Sequence, residues 1–105
     1  MTDEERLKRR KELEQDDVKK ILGTPEGLRF FWRLLEIAGI YRTTFTGNSN
    51  SFFNEGRRSV GLEIKADLMA VDLDNEGRMA REHARWMTNN DLVPKGGDRF
   101  ARRNH

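Results

Sequence analysis

The sequence predicts an all-α protein: a small helical bundle of two long central helices plus one or two shorter helices, with a charged N-terminal helical arm and a flexible C-terminal tail. Three observations carry this. Most of the large apolar residues fall between Thr24 and Leu73. They recur there three and four residues apart, over 25–38 and again over 52–71. Helix-start signals stand immediately before both runs. The 105 residues divide into a charged arm (1–16), a helical domain (17–90) and a basic tail (91–105), with no internal repeat.

The arm opens with Thr2-Asp3-Glu4-Glu5, a capping-box pattern. Glu4 with Lys8, Glu5 with Arg9 and Asp16 with Lys20 have favourable i,i+4 spacing, though such pairs contribute only about 0.2–0.5 kcal/mol each. The apolar side chains here are Leu7, Leu13, Val18, Ile21 and Leu22. The last three can pack one turn onto the core. Residues 3–15 bury little, and form either a projecting helix or an arm that orders on a partner.

Gly23-Thr24-Pro25-Glu26 separates this segment from the central helix. Gly23 suits a left-handed helix end. Thr24 caps the next helix, Pro25 fits its first turn, and Glu26 complements the dipole. The helix covers 25–38, with Leu28, Phe31, Leu35 and Ala38 in one stripe and Phe30, Leu34, Ile37 and Tyr41 in another. Only Arg29, Arg33 and Glu36 form a polar edge, so this helix wants partners on several sides. It ends near Ala38-Gly39.

Small polar residues then mark a loop over 42–50, with Phe45 as its anchor. Asn50 or Ser51 caps the second long helix. There Phe53, Gly56, Val60, Ile64, Leu68 and Val71 share a face, and Phe52, Ser59, Leu62, Ala66 and Met69 a neighbouring one. On the apolar face Gly56 admits a close backbone neighbour, while Gly61 marks a bend. Asp72 or Asp74 caps a last helix over about 75–88. Met79, Ala80, His83, Ala84 and Met87 face one way, beside Trp86. Arg78, Arg81, Glu82 and Arg85 face outward. Asn89-Asn90-Asp91 stops the helix, and Pro94, Gly96-Gly97 and a basic end follow.

Composition sets the class. Hydrophobic residues make up 35% and charged residues 36%, with mean hydropathy −0.88. A chain this short buries only about 60–65% of its surface, so its core must be concentrated in the middle. The net charge of +2 is too small to argue for nucleic acid by itself. The absence of cysteine excludes disulfides and thiol catalysis. No secretory signal and no apolar run approaching about 20 residues is visible, so no membrane span is expected.

Reactive constellations are missing too. His83 and His105 are the only histidines, and no metal site is expected. Asp72-x-Asp74-x-Glu76-Gly77 resembles the start of a calcium loop, but its twelfth position is His83 instead of the bidentate Glu; a helix cap explains it better. Ser49, Ser51 and Ser59 lie outside any nucleophile motif. No phosphate-cradling glycine loop occurs. Glu55, Glu63 and Asp67 pair with neighbouring bases. The expectation is a protein with no catalytic, cofactor or metal residues. The candidate partner-binding residues are basic: Arg57, Arg58, Arg99, Arg102 and Arg103. They suit an acidic protein surface or, as a second choice, nucleic acid, and surface solvation competes with both readings.

Three runs are more distinctive than their periodicity. Thr24-Pro25-Glu26-Gly27 leads through Phe30-Phe31-Trp32-Arg33-Leu34-Leu35 to Ala38-Gly39-Ile40-Tyr41. Phe45-Thr46-Gly47-Asn48-Ser49 and Phe52-Phe53-Asn54-Glu55-Gly56-Arg57-Arg58 follow. Over about residues 17–73 this order resembles the Bbp-nineteen-like phage domain, a family of small proteins from tailed bacteriophages. The resemblance implies a virion-associated structural protein of short-tailed phages, bound at the portal vertex, internal core or tail. Its partners would be other virion proteins or further copies of itself. It would reside in the virion, and in the host cytoplasm during assembly. The alternative is a small DNA-binding accessory of phage packaging or regulation. Trp32, Phe45, Phe52 and Phe53 are expected to be core determinants, with Trp32 at a subunit contact as the lesser alternative.

Overall fold

The computed structural model describes residues 1–41 and 49–94, with the backbone alone for 49–51. Among these residues there are four α-helices and no strands: α1 (Asp3–Leu22), α2 (Pro25–Ala38), α3 (Ser49–Val71) and α4 (Asn75–Asn89). The all-α bundle is as expected, and α2 has the predicted limits. The Phe45 anchor and the basic tail with Arg99, Arg102 and Arg103 lie outside the described residues.

Local chemistry sets the helix ends. Thr2 and Glu5 form a reciprocal capping box at the start of α1. The ion pairs of α1 are Arg6–Asp3, Arg9–Glu12 and Arg10–Glu14, in place of those expected from the i,i+4 spacing. Thr24 Oγ1 accepts from Gly27 N at 3.0 Å and, with Pro25, starts α2. The left-handed helix end belongs to Gly39 (φ 74°), whereas Gly23 is right-handed (φ −78°). Gly23 needs no special conformation because α1 passes directly into the capped start of α2. At the end of α4, Asp91 takes a positive φ of 55°, which Asp tolerates better than most residues.

Every helix contributes to one core. Leu22, Leu35, Leu68 and Met79 are buried, with Ile40 beside them. Val18, Leu28, Phe31, Trp32, Ala38 and Ile64 pack around this centre. Full burial of such a side chain contributes about 1.5–3 kcal/mol, so a core this small leaves little margin for voids. Two glycines bring the helices together. A Cβ at Gly27 would fall on the carbonyl of Ile21, locking the start of α2 against the end of α1. A Cβ at Gly61 would strike Ala38 and lie 2.7 Å from Ile40 Cγ2. Gly61 is thus the close-approach position between α2 and α3, and Gly56 faces open space. The close approach therefore belongs to Gly61 and not to Gly56, whose place on the apolar face suggests it.

Below the apolar centre lies a polar clasp. Asn75 is 1% exposed; its Nδ2 donates to Leu68 O at 2.8 Å and its Oδ1 accepts from Arg78 at 2.9 Å. Arg78 Nη2 donates to Leu22 O at 2.7 Å. Arg78 therefore turns inward, contrary to the expected outward face, because an unsatisfied carbonyl at the end of α1 lies within its reach. Asp74 occupies the capping position of α4 but makes no capping hydrogen bond; its carboxylate goes to Arg81 at 3.2 Å.

The two α3 glycines should respond oppositely to alanine. Gly61→Ala is expected to cost roughly 1–3 kcal/mol by overpacking. Gly56→Ala should instead be neutral or stabilise by up to about 1 kcal/mol. Urea denaturation of both variants measures the contrast.

Candidate interaction surface

Helical periodicity places residues on faces, but neighbours decide which faces are covered. The Leu28–Phe31–Leu35–Ala38 stripe of α2 faces the core. The second stripe does not: Phe30 is 48%, Ile37 54% and Tyr41 47% exposed. Helix α2 thus has partners on several sides, α1, α3 and α4, as its apolar circumference predicts, and this side stays open among the described residues. Arg33 lies over the Phe30 ring, its guanidinium carbon 5.5 Å from the centroid. From α4, Trp86 reaches the same face, and a groove of about 390 Å³ runs between Phe30, Arg33, His83 and Trp86.

A ladder of rings supports this face from behind. Tyr41 stacks on Trp32 at 5.2 Å, Trp32 meets His83 at 5.7 Å, and His83 meets Trp86 at 6.2 Å. Arg29 lies 5.9 Å from the Trp86 ring and bonds Glu82 at 2.9 Å, linking α2 to α4. Glu82 is 10% exposed by side chain and also accepts from Arg85 at 2.8 Å. The Arg85 hydrogen bonds, partly opposed by burial and aided by Arg29, hold its carboxyl below the usual range. Glu82 therefore turns inward, correcting a second outward assignment. Trp32 is a core-edge residue in this ladder.

The Tyr41 end is tied down by charge. Tyr41 OH donates to Glu76 Oε2 at 2.6 Å, and Lys65 Nζ lies 2.9 Å from the same oxygen. Burial first, then the hydrogen bond and charge of Glu76, raise the Tyr41 phenol. Bonds from Lys65 and Tyr41 lower the Glu76 carboxyl.

A second exposed surface lies on the N-terminal half of α3. Phe52 is 81% and Phe53 69% exposed, so they are not the core determinants that sequence spacing suggested. Gly61 packs on Ala38 and Ile40 at the end of α2, which places residues 49–60 past that contact, with no helix among the described residues to cover them. Arg57 lies here, 5.7 Å from the Phe53 ring and bonded to Asn54 Oδ1 at 3.1 Å. Arg58, one residue on, is half-buried. These two share the overhang; their relation to Arg99, Arg102 and Arg103 lies outside the described residues. Among the described residues no cluster of three His, Cys, Asp or Glu is placed to hold a metal, and no helix is long and apolar enough to cross a membrane.

What sequence reasoning missed is mostly polar. Asn75 reads as a helix-start residue, and Arg78 and Glu82 as surface residues; nothing in the pattern marks them as inward. Tyr41 and Trp32 both stood out as aromatics, but their stacking depends on the turn at Gly39.

Comparison with family models gives a match to the family described as Bbp19-like phage protein over residues 18–83. The match takes in the last turn of α1, all of α2 and α3 and the first half of α4, well over half of the chain, and the chain belongs to this family. No match appears among curated proteins or among solved structures.

The Tyr41–Glu76 bond has a pH signature. A phenol raised by folding stabilises below its unfolded pKa and loses that contribution as pH climbs toward the folded value. A lowered carboxylate stabilises above its unfolded pKa and loses the contribution as pH falls through the folded one. Tyr41→Phe is expected to cost about 1 kcal/mol near neutrality. In thermal melts, the gap between wild type and variant should shrink above about pH 10 and below about pH 4.

Proposed function

We propose that this Bbp19-like phage protein is a non-enzymatic structural or morphogenesis component of the phage particle. It docks at the portal vertex, the internal core or the tail, and passes through the host cytoplasm during assembly. One observation supports the reading most: a chain with so small a core leaves Phe30, Ile37, Phe52, Phe53 and Val60 about half exposed or more. Exposed apolar patches mark sites of protein association, and here they fall on two faces, the outer α2 stripe and the N-terminal half of α3. Aromatic and arginine side chains, as at Phe30, Arg33 and Trp86, are the types that dominate such contacts.

A second reading is a DNA-binding accessory of packaging or regulation. Arg57 beside the exposed Phe53 favours it, together with the basic Arg99, Arg102 and Arg103. The net charge of +2 and the apolar character of the α2–α4 face favour the protein partner.

Mass spectrometry of purified particles decides between presence and absence. Abundance in infected cells without incorporation sinks the structural reading. Ile37→Lys should change stability by no more than about 0.5 kcal/mol, as an exposed substitution, yet reduce incorporation severalfold. For DNA, binding should weaken with salt at a log–log slope of about 0.9 per phosphate contacted; no binding at low salt removes that alternative.

A further inference from the structure

The α1 helix has its own unmatched surface, apart from the α2–α4 face. Residues 3–14 are exposed throughout, yet α1 is a continuous helix of 20 residues. Between α1 and α3 runs an open cleft of about 680 Å³. Its α1 wall presents Leu7, Arg10, Lys11, Glu14, Gln15 and Val18, with Arg10 paired to Glu14 at 3.3 Å. Its α3 wall is low, formed by Ala66 and Ala70, with Asp67 between them.

The α1 wall has a particular order. Within it Leu7, Lys11, Glu14 and Val18 are spaced four, three and four residues apart, which is coiled-coil spacing with charge at the two inner positions. The seam is apolar, basic, acidic, apolar. Turned end for end, it complements itself: Leu7 meets Val18, and Lys11 meets Glu14. The flanking positions agree, because Arg10 then faces Asp17. Around them charge comes in blocks, basic from Arg6 to Lys11 and acidic from Glu12 to Asp17. Lys8, Lys11, Asp16 and Asp17 make no ion pair among the described residues. A parallel pairing would set Lys11 against Lys11 and Glu14 against Glu14, which is repulsive.

We propose that the cleft between α1 and α3 receives the α1 helix of a second copy of this chain, packed antiparallel, to form a two-fold dimer. In it each Leu7 packs on the other copy's Val18 at the base of the cleft. The basic block of each arm lies beside Asp67 of the other copy. The small side chains of Ala66 and Ala70 leave room for the incoming helix. A two-fold contact of this kind is self-complementary by construction. The inference does not depend on where the protein sits in a particle.

The full chain provides its own test because it contains no cysteine. Sedimentation should give a mass twice that of the chain. Lys11→Glu should weaken the dimer by roughly tenfold, since it replaces attraction by repulsion at two symmetric places. Adding Glu14→Lys should restore it, and circular dichroism should show helicity unchanged throughout. Under oxidation, an equimolar mixture of Arg10→Cys and Asp17→Cys should form the mixed disulfide. Asp17→Cys alone should not, because its two copies would lie about 13 Å apart along the axis at 1.5 Å per residue. Three results would each overturn the proposal. One is a monomer at every concentration. Another is a dimer indifferent to Lys11→Glu. The third is an Asp17→Cys chain that links efficiently to itself.

Discussion

The structure depends on the clasp that Asn75 and Arg78 make beneath the core. It joins three helices through two backbone carbonyls, Leu22 O at the end of α1 and Leu68 O near the end of α3. Among the described residues Leu22 O, at the end of α1, accepts no other hydrogen bond, and leaving such a carbonyl buried and unbonded would cost about 1–3 kcal/mol; Leu68 O also accepts from Asp72 N at 3.5 Å. Arg78 also brings positive charge to the negative end of the α1 dipole. Leu22, Leu68 and Asn75 are each about 1% exposed, so the bonds form in a site with little water to compete. Because the clasp fixes where α1 and α3 end relative to α4, it also fixes which residues above it can meet as a core.

From that anchor the remaining geometry follows from two close approaches. Gly27 seats the start of α2 against Ile21, and Gly61 seats α3 against Ala38 and Ile40. These contacts set the offset between α2 and α3, and the offset determines exposure. Residues 64–71 of α3 fall opposite the core, whereas residues 52–60 run past the end of α2. Phe52 and Phe53 are exposed because of this offset, although their hydrophobicity equals that of Phe31.

The same distinction explains what was legible in the amino-acid sequence. Helix class, the limits of α2, the Thr24 cap and the core stripe of α2 are local properties of spacing and end chemistry, and all could be read. The family was legible through the same central runs, from Thr24-Pro25-Glu26-Gly27 to Arg57-Arg58. Which glycine permits a close approach could not be read, since Gly56 and Gly61 differ only in what stands opposite them. Asn75, Arg78 and Glu82 were illegible for a related reason. A polar side chain turns inward only when a carbonyl or a guanidinium from a distant segment waits there. Of the candidate residues, Arg57 and Arg58 share one end of α3, but their spacing gave no hint that exposed phenylalanines would flank them.

The side chains that hold the fold together are not those that the proposed docking would use. Groups that hold the bundle together are buried or bonded at its base. The apolar groups of the outer α2 stripe and the α3 overhang contribute little to the isolated chain, and exposing them invites association. A small core gives a modest stability, and anything that binds only the folded state adds to it by mass action. Docking of Phe30, Ile37 and Trp86 would therefore stabilise the chain while recruiting it. The ring ladder behind them lowers the ordering cost, because Trp32 and His83 already hold Tyr41 and Trp86 in place. Under the proposed docking, a surface organised in advance of its partner would keep more of its contact energy as affinity.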